Sequence, residues 1–303
     1  MDSKHLRSFL HISELGSISK AAERLNLTQP ALSRQLKILE EEAGMRLLQR
    51  TGRGVSLTDA GRLLAQRAQS VISELEKISS ELAAIKGTVR GELCIGFPPS
   101  VGLRLAGPVV QRFHSEYPDV QLRVEQLISG TLEQKLLAGR IDLGVLFDGT
   151  ISPNLRTEPL WQEQLAVIAH PQIGLDAYSS LSLKQALQLP LILPKAPHNL
   201  RDMLEQQAFR EGIPLNVEIE VDSLMIQLAL VRRNLGCSIM PAALCQTELL
   251  ADMLTSTDIV DPELTRTALL AWSKDHPLTT AGHIMAEMVR ACAADNKDGE
   301  IFS

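Results

Sequence analysis

The stretch Ser17–Glu42, SISKAAERLNLTQPALSRQLKILEEE, contains two short helical patterns separated by a turn. Ser17 is placed to cap a first helix, whose small apolar residues let another helix approach closely. Asn26 tolerates the left-handed backbone that the turn requires. Thr28 is then placed to cap a second helix, from about Gln29 to Glu42. The pattern predicts a helix-turn-helix.

The second helix has an apolar stripe and a polar face. Leu32, Leu36 and Leu39 recur at helical spacing and therefore share one side. The polar residue types suit a DNA major groove, because Arg and Lys meet guanine edges or phosphates, Gln pairs with adenine and Ser does either. An ordinary surface helix in a bundle is the alternative. The candidate DNA-contacting residues here are Ser17, Thr28, Gln29, Pro30, Ser33, Arg34, Gln35 and Lys37.

Two short apolar runs follow and flank a glycine-rich basic turn. Leu47–Arg50 and Val55–Leu57 lie on either side of Thr51-Gly52-Arg53-Gly54. Such a pattern predicts a small hairpin, or wing. Arg50 and Arg53 would lie along the phosphate backbone and add affinity without reading sequence.

With these features the chain resembles the LysR-type transcriptional regulators. The resemblance implies a winged helix-turn-helix, a long linker helix, and a two-lobed α/β effector domain like that of periplasmic binding proteins. It also implies double-stranded promoter or operator DNA as a partner, RNA polymerase as a further partner, and dimers or tetramers. The residues that carry it are Phe9, Gly16-Ser17, Ala21-Ala22-Glu23-Arg24-Leu25, Thr28-Gln29-Pro30-Ala31-Leu32-Ser33, Leu39-Glu40, Gly44, Leu48, Arg50 and Leu57-Thr58-Asp59-Ala60-Gly61.

Charge is segregated along the chain. Of 30 basic and 36 acidic residues, residues 1–90 hold 14 basic and 10 acidic, which leaves 16 basic and 26 acidic in the remainder. A modestly basic amino-terminal part beside an acidic body is typical of a DNA reader with a separate sensing domain. We therefore expect a DNA-binding domain at 1–58, a linker and dimerisation helix at 59–87, and an effector domain at 91–295 with lobes at about 91–161 plus 266–295 and 162–265.

Composition and cysteine usage predict a cytoplasmic protein. The chain has 303 residues and 45% hydrophobic residues, enough for two or three domains. No apolar run is long enough for a membrane span, and the start MDSKHLRSFL is not a signal peptide. The four cysteines form no CxxC pair, so we expect buried reduced thiols. A redox switch at Cys237 and Cys245 is the alternative, although nothing basic flanks either thiol.

A long helical pattern begins at the cap residue Thr58. Seven apolar residues, which we call the apolar seam, follow at alternating steps of four and three: Leu64, Ala68, Val71, Leu75, Ile78, Leu82 and Ile85. This is a heptad stripe, which predicts self-association, with a helix lying on its own domain as the alternative. A two-fold dimer would place two recognition helices on an inverted repeat.

Beyond Gly87 and Gly91 the pattern of apolar residues changes and predicts alternating strands and helices. The predicted strands are 92–97, 120–127, 141–147, 165–169, 191–193, 217–221, 237–240 and 265–272, and the predicted helices are 103–117, 131–138, 183–187, 200–211, 224–233 and 277–293. Alternation at these lengths predicts parallel sheets with right-handed crossovers, in two lobes that enclose a cleft.

Ligands of parallel sheets bind beyond the carboxyl ends of strands, where helices begin. Hydroxyl groups beside first-turn amides would hold a carboxylate or another small anion there, and an arginine would add a charge-assisted contact. Plain helix capping is the alternative role of these Ser and Thr residues. The candidate effector-binding residues are Ser100, Val101, Ser129, Gly130, Thr131, Phe147, His198 and Arg201.

No catalytic or metal motif was found, so neither an enzyme nor a resident cofactor is predicted. The segments PLILP and PHNLR are similar to those of nitrogen-assimilation-control regulators. A solute-binding protein without a regulatory role is the main alternative, but it would not need a helix-turn-helix. An architectural DNA binder is the third hypothesis, and it leaves the acidic α/β region unexplained.

Overall fold

The computed structural model describes residues 1–52, 54–85, 88–246 and 253–295. Two compact units make up the chain, namely Met1–Gly91 with Ala138–Arg140, and Glu92–Leu137 with Ile141–Ser303. Arg53, expected in the wing, and Gly87, expected to end the linker helix, lie outside the described residues.

The first unit begins with three helices and a hairpin. They are α1 (Ser3–Leu15), α2 (Ile18–Arg24), α3 (Gln29–Ala43), β1 (Leu48–Thr51) and β2 (Gly54–Leu57). Their shared core is built on side chains with no exposed surface, among them Phe9, Ile12, Leu32 and Leu39. The Val55 amide donates to the Gly16 carbonyl at 2.9 Å, so β2 is fixed against the turn that follows α1. A winged helix-turn-helix is therefore confirmed.

Local signals in the sequence set the ends of these helices as expected. The side chain of Ser17 accepts from the Lys20 amide, and that of Thr28 accepts from the Ala31 amide. Asn26 has φ 51°, the left-handed conformation predicted for the turn. Gly54 has φ 151°, and a Cβ atom there would lie 2.3 Å from the Gly16 carbonyl oxygen, so only glycine fits this close approach.

Helix α4 (Asp59–Ile85) is 27 residues long and continues from the wing. Its first turns pack into the core of the helix-turn-helix, where Ala65, Ala68 and Ile72 are buried. The first part of the apolar seam therefore lies on its own domain, as the alternative interpretation had it. Farther along, the seam residues Val71, Ile78 and Leu82 are exposed, with 48%, 46% and 59% of their surface accessible, respectively.

The second unit contains ten strands and six α-helices in its described part. The strands are β3 (Gly91–Phe97), β4 (Val120–Gln126), β5 (Leu143–Phe147), β6 (Leu155–Ala169), β7 (Ser180–Ser182), β8 (Leu191–Leu193), β9 (Val217–Glu220), β10 (Ser238–Pro241), β11 (Thr255–Val260) and β12 (Thr265–Ser273). The helices are α5 (Pro99–Glu116), α6 (Ser129–Leu137), α7 (Leu183–Gln188), α8 (Asn199–Glu211), α9 (Leu224–Val231) and α10 (Thr280–Asp295).

The principal sheet has the strand order β4-β3-β5-β12-β6-β11-β7, with β10 also paired to β6, while β8 and β9 form a separate pair. The prediction of purely parallel sheets was wrong. Strand β6 runs antiparallel to β12, β10 and β11, while β3–β5, β7–β11 and β8–β9 are parallel.

The sequence analysis did not predict strands β7 and β11 or the first half of β6. The first half of β6, LRTEPLWQEQ, is polar and contains Pro159, a combination that does not indicate a strand. Proline is accommodated because the pairing with β12 shifts register between Ala268 and Leu269, and a bulge tolerates a residue without an amide proton. Strand β7 has only three residues and β11 is mostly polar, so they also lacked a signal.

Strand β6 passes from one lobe to the other. Residues up to Gln164 pair with β12, and residues from Leu165 onward pair with β10 and β11. The chain returns at Leu264, whose carbonyl accepts from the Leu165 amide at 2.8 Å. Two adjacent crossings therefore join the lobes, and the carboxyl ends of β3 and β8 lead into α5 and α8, which border the cleft.

Candidate DNA-contacting face and effector cleft

Helix α3 presents a polar face beside its buried stripe. Gln29, Pro30, Arg34 and Lys37 are exposed, and Ser33 is half-buried. Lys37 lies 3.5 Å from Glu41 in a solvent-exposed ion pair, and such a pair constrains the lysine side chain little. The side-chain oxygen of Gln29 accepts from the Ser19 hydroxyl at 3.3 Å. This face has the donors and the geometry that a major groove accepts.

Gln35 does not share that face. Its side-chain oxygen accepts a hydrogen bond from the buried Ser8 hydroxyl at 2.5 Å. Position 35 lies three residues after Leu32 and four before Leu39, so helical geometry turns it toward α1. Sequence reasoning placed Gln35 with the DNA-contacting residues on residue type alone. Its position instead indicates a role in packing α3 on α1.

Ser17 and Thr28 act as helix caps, and Arg50 lies on the wing. Arg50 is exposed on β1, opposite Val55 of β2. The wing is held to α3 by the buried carboxylate of Glu40, which accepts from the Leu47 amide at 2.9 Å and the Leu48 amide at 3.3 Å. Glu40 thus fixes the position of the wing relative to the helix. Sequence reasoning quoted Glu40 only for the family resemblance.

A cavity of about 60 Å³ lies between the two lobes of the second unit. By volume it holds about four to six water molecules, or a small organic group of similar size. Its wall is mostly apolar, with Phe147, Pro194, Leu224 and Met240 among the lining residues. Polar side chains also contribute to the lining, as is usual for a small-molecule site.

Ser100, Ser129 and Arg266 are among the polar residues that line the cavity. Arg266 donates from Nη2 to the Ser100 hydroxyl at 3.2 Å and from Nε to Glu163 at 2.5 Å. Ser100 is in the first turn of α5, yet the cap residue of that helix is Pro98, which makes no side-chain bond. Ser100 is therefore not a cap, and its hydroxyl hydrogen can donate into the cavity.

Next to this cavity is an open basin of about 590 Å³, whose lining includes Gly130, Thr131, Asp148 and Asp202. Ser129, Phe147 and His198 border both spaces. The first turn of α6 contributes Ser129, Gly130 and Thr131, whose amides have no partner within a helix. A ligand larger than the inner cavity would extend into this basin.

His198 caps α8, since its Nδ1 accepts from the Leu200 amide at 3.2 Å. Burial, and then the positive charge of Arg266, lower the pKa of His198 below its ordinary value of 6.5. The imidazole is therefore neutral at pH 7, with its proton on Nε2. In this form it is a neutral donor beside the cleft.

Two predicted effector-binding residues do not line the cavity or the basin. Val101 is 1% exposed and packs in the lobe core, because it lies on the inner side of α5. Arg201 donates to Glu205 at 2.6 Å and to Glu220 at 3.1 Å, so its charge is neutralised within its own lobe. The arginine at the cleft is Arg266, which sequence reasoning missed.

A signal for Arg266 was present in the sequence. Arg266 shares one side of β12 with the buried Ala268 and Leu270, and Glu163 shares one side of β6 with the buried Leu165. A charged residue at an apolar position of the predicted strand 265–272 indicates a buried partner, whereas Glu163 lies in the part of β6 that was not predicted as a strand. The strands place Arg266 directly opposite Glu163.

The cysteines have the properties of buried thiols. Burial raises the pKa of Cys94 to about 12 and the pKa values of Cys237 and Cys245 to about 11. Thiols with raised pKa values react slowly with oxidants, which disfavours a redox switch. Within the described ranges, no group of three or more His, Cys, Asp or Glu residues is arranged to hold a metal ion, and no helix is both long and apolar enough to span a membrane.

Comparison with known families decides the identity of both units. Residues 3–62 match the bacterial regulatory helix-turn-helix proteins of the lysR family, and residues 86–293 match the LysR substrate binding domain. The chain belongs to the LysR family of transcriptional regulators. This membership favours the LysR-type regulator over the solute-binding and architectural alternatives. The family is one of DNA-binding regulators, not of enzymes.

Named relatives of this LysR-type regulator include the HTH-type transcriptional regulator AlsR of Bacillus subtilis, 31% identical over 80% of this chain and 81% of AlsR. The nitrogen assimilation regulatory protein nac of Klebsiella aerogenes is 28% identical over 80% of this chain and 78% of its own length. A full-length OxyR variant from Pseudomonas aeruginosa has a TM-score of 0.75 at 26% identity, with 96% of this chain and 98% of that chain covered. Full-length CbnR, solved in complex with target DNA, shares the fold with a TM-score of 0.71 at 22% identity, over 96% of this chain and 100% of that chain.

Proposed function

We propose that this LysR-type regulator reads operator DNA with α3, holds the phosphate backbone with its wing, and responds to a small organic anion in the interlobe cleft. The observation that carries the anion assignment is Arg266, a buried guanidinium at a mostly apolar cavity, beside the Ser100 hydroxyl.

For DNA, the proposed base-reading residues are Gln29, Ser33 and Arg34, with Lys37 and Arg50 on phosphates. Pro30, Ser17 and Thr28 would shape the helix ends that approach the backbone. Arg53, although outside the described residues, is proposed as a second wing contact from its place in the sequence. Gln35 is left out of this set because it bonds Ser8.

For assembly, we propose that the exposed part of the apolar seam pairs with the same helix of a second copy. Val71, Ile78 and Leu82 are each more than two-fifths exposed and follow heptad spacing. A two-fold dimer would present two copies of α3 to successive major grooves. The same dimer would explain why so many large apolar side chains of one helix face water in the single chain.

For regulation, we propose that an anion bound to Ser100, Ser129 and Arg266 draws the two lobes together. Such an anion would bind the closed arrangement more tightly, because only that arrangement brings all its contacts within reach. The two crossings at Leu165 and Leu264 would act as the hinge. Since its target is genomic DNA, we place the regulator in the cytoplasm.

Footprinting of the full-length protein on genomic fragments, with and without small carboxylates, tests this function. We expect a protected site with two related halves, centred about one helical turn apart, because a two-fold dimer reads an inverted repeat. An active carboxylate should change the extent of protection. Uniform protection of all fragments under both conditions would contradict sequence-specific regulation.

A further inference from the structure

Three charged side chains are buried together in the effector domain, and we call them the Arg-Glu-Arg triad: Arg104 of α5, Glu163 of β6 and Arg266 of β12. Their side chains are 9%, 6% and 5% exposed, respectively. Glu163 lies 2.5 Å from Arg266 Nε and 3.8 Å from Arg104 Nη1. One carboxylate thus faces two guanidinium groups, so the triad carries one excess positive charge.

Arg104 is poorly compensated. Among the described residues, its buried Nε has no hydrogen-bond partner. Besides the long contact to Glu163, its guanidinium lies 5.9 Å from the centre of the Trp161 ring, which stabilises a cation only weakly. Burial lowers the pKa of Arg104, yet an arginine stays protonated at neutral pH. The excess charge is therefore permanent.

Other charged groups near the cleft do not balance the triad. Asp222 lines the cavity but is exposed and accepts from the Lys195 amide at 3.3 Å, so water screens it. Asp148 and Asp202 are exposed at the outer basin. The neutral imidazole of His198 contributes no charge. An ionised ligand at Arg266 would supply the missing negative charge.

We propose that the Arg-Glu-Arg triad sets the charge of the effector, so that the cleft selects an anion of charge minus one over an anion of charge minus two. The inference rests on the proposed function, because it takes Arg266 as the anion contact. Arg104 does not line the cavity and acts as a positioning residue. It shares Glu163 with Arg266 and so keeps the Arg266 charge from being fully neutralised.

The proposal predicts opposite effects for the two inner members of the triad. Glu163→Gln removes the internal carboxylate and leaves two positive charges, which favours dianions. Arg104→Met leaves Glu163 and Arg266 as a balanced pair, which weakens binding of every anion. The double variant, R104M with E163Q, restores one excess positive charge and so should restore the preference for monoanions.

Calorimetry on the full-length protein with propionate, benzoate, malonate and succinate tests this proposal, since propionate and malonate differ in charge but little in size. We expect the wild type to prefer propionate to malonate, and E163Q to shift the ratio of the two affinities toward malonate by about tenfold or more, as charge-assisted contacts are strong when buried. A lost side-chain contact alone would weaken both ligands together and leave this ratio unchanged.

An unchanged ratio in E163Q, or a wild-type preference for malonate, would overturn the charge assignment while leaving an anion site in place. Binding of none of the four carboxylates to the wild type would overturn the anion site and the triad proposal together. Should either single variant fail to fold, the double variant decides, because it must keep the wild-type ratio.

Discussion

The guanidinium of Arg266 lies 3.5 Å from the centre of the Phe147 ring. Stacking on a ring face leaves the N–H donors of arginine directed outward in the plane of the group. Two of those directions are taken by Glu163 and Ser100. Phe147 of β5 therefore orients the guanidinium of Arg266, and both residues line the cavity between the lobes.

Arg266→Met should abolish the thermal stabilisation of the full-length protein by carboxylates. The loss corresponds to about 1.5–3 kcal/mol of binding free energy, which is typical of a hydrogen bond to a charged group. Arg201→Met is the matched control, because Arg201 is neutralised by two glutamates outside the cavity. If Arg201→Met lost the stabilisation by carboxylates and Arg266→Met kept it, Arg201 would be the effector-binding arginine, as the sequence analysis predicted. Thermal melting of both variants is the measurement.

Arg34→Ala should weaken binding to the operator by about 1–3 kcal/mol if its guanidinium reads a guanine edge. Binding to random DNA should change much less, so the ratio of the two affinities is the quantity to measure in gel shifts. Gln35→Ala serves as the control on the same helix, since Gln35 is turned toward Ser8. Equal losses on operator and random DNA would show that Arg34 contacts phosphate only.

Arg50→Ala should instead lower affinity for all DNA sequences alike. Removal of one phosphate contact reduces the slope of log affinity against log salt concentration by about 0.9. Titrations at several salt concentrations on both operator and random DNA measure that slope. Were the slope to stay at its wild-type value, the wing strand would not lie on the backbone.

Ile78→Asp should break the dimer, because it places a charge in the exposed part of the apolar seam, where the wild-type side chain is 46% accessible. Burying an unpaired carboxylate between two helices costs about 3–5 kcal/mol, which is the cost of removing one partner from a buried ion pair. Gln66→Asp is the control, because Gln66 is exposed on the same helix and is not part of the apolar seam. Sedimentation that gives Ile78→Asp the wild-type mass would exclude α4 as the contact between copies.

The stability of the protein should fall as pH decreases through the ordinary histidine pKa of 6.5. The folded state holds the pKa of His198 below that value, so the unfolded chain binds the proton first and acid favours unfolding. His198→Asn, which can still cap α8, should flatten this pH dependence. Thermal midpoints of the wild type and the variant on both sides of that pKa provide the comparison. Parallel curves would mean that His198 does not contribute.

The amino-terminal helix-turn-helix of this chain could be predicted closely from its sequence. Caps at Ser17 and Thr28, a left-handed Asn26 and the stripe of Leu32, Leu36 and Leu39 are local signals, and each depends on neighbours within about one or two helical turns. The face of the helix was assigned less well, because Gln35 was judged by its residue type. Its partner Ser8 lies 27 positions away in the chain.

In the effector domain, the sequence by itself determined most of the alternation of strands and helices and the approximate helix starts near Ser129 and His198. Tertiary structure alone decided that β6 crosses between lobes, that Arg201 is neutralised by Glu205 and Glu220, and that Arg266 is the cation at the cleft. Glu163 and Arg266 are 103 residues apart and meet only because β6 and β12 pair. Short-range patterns fix local conformation, whereas the balance of buried charge depends on contacts that only the folded chain creates.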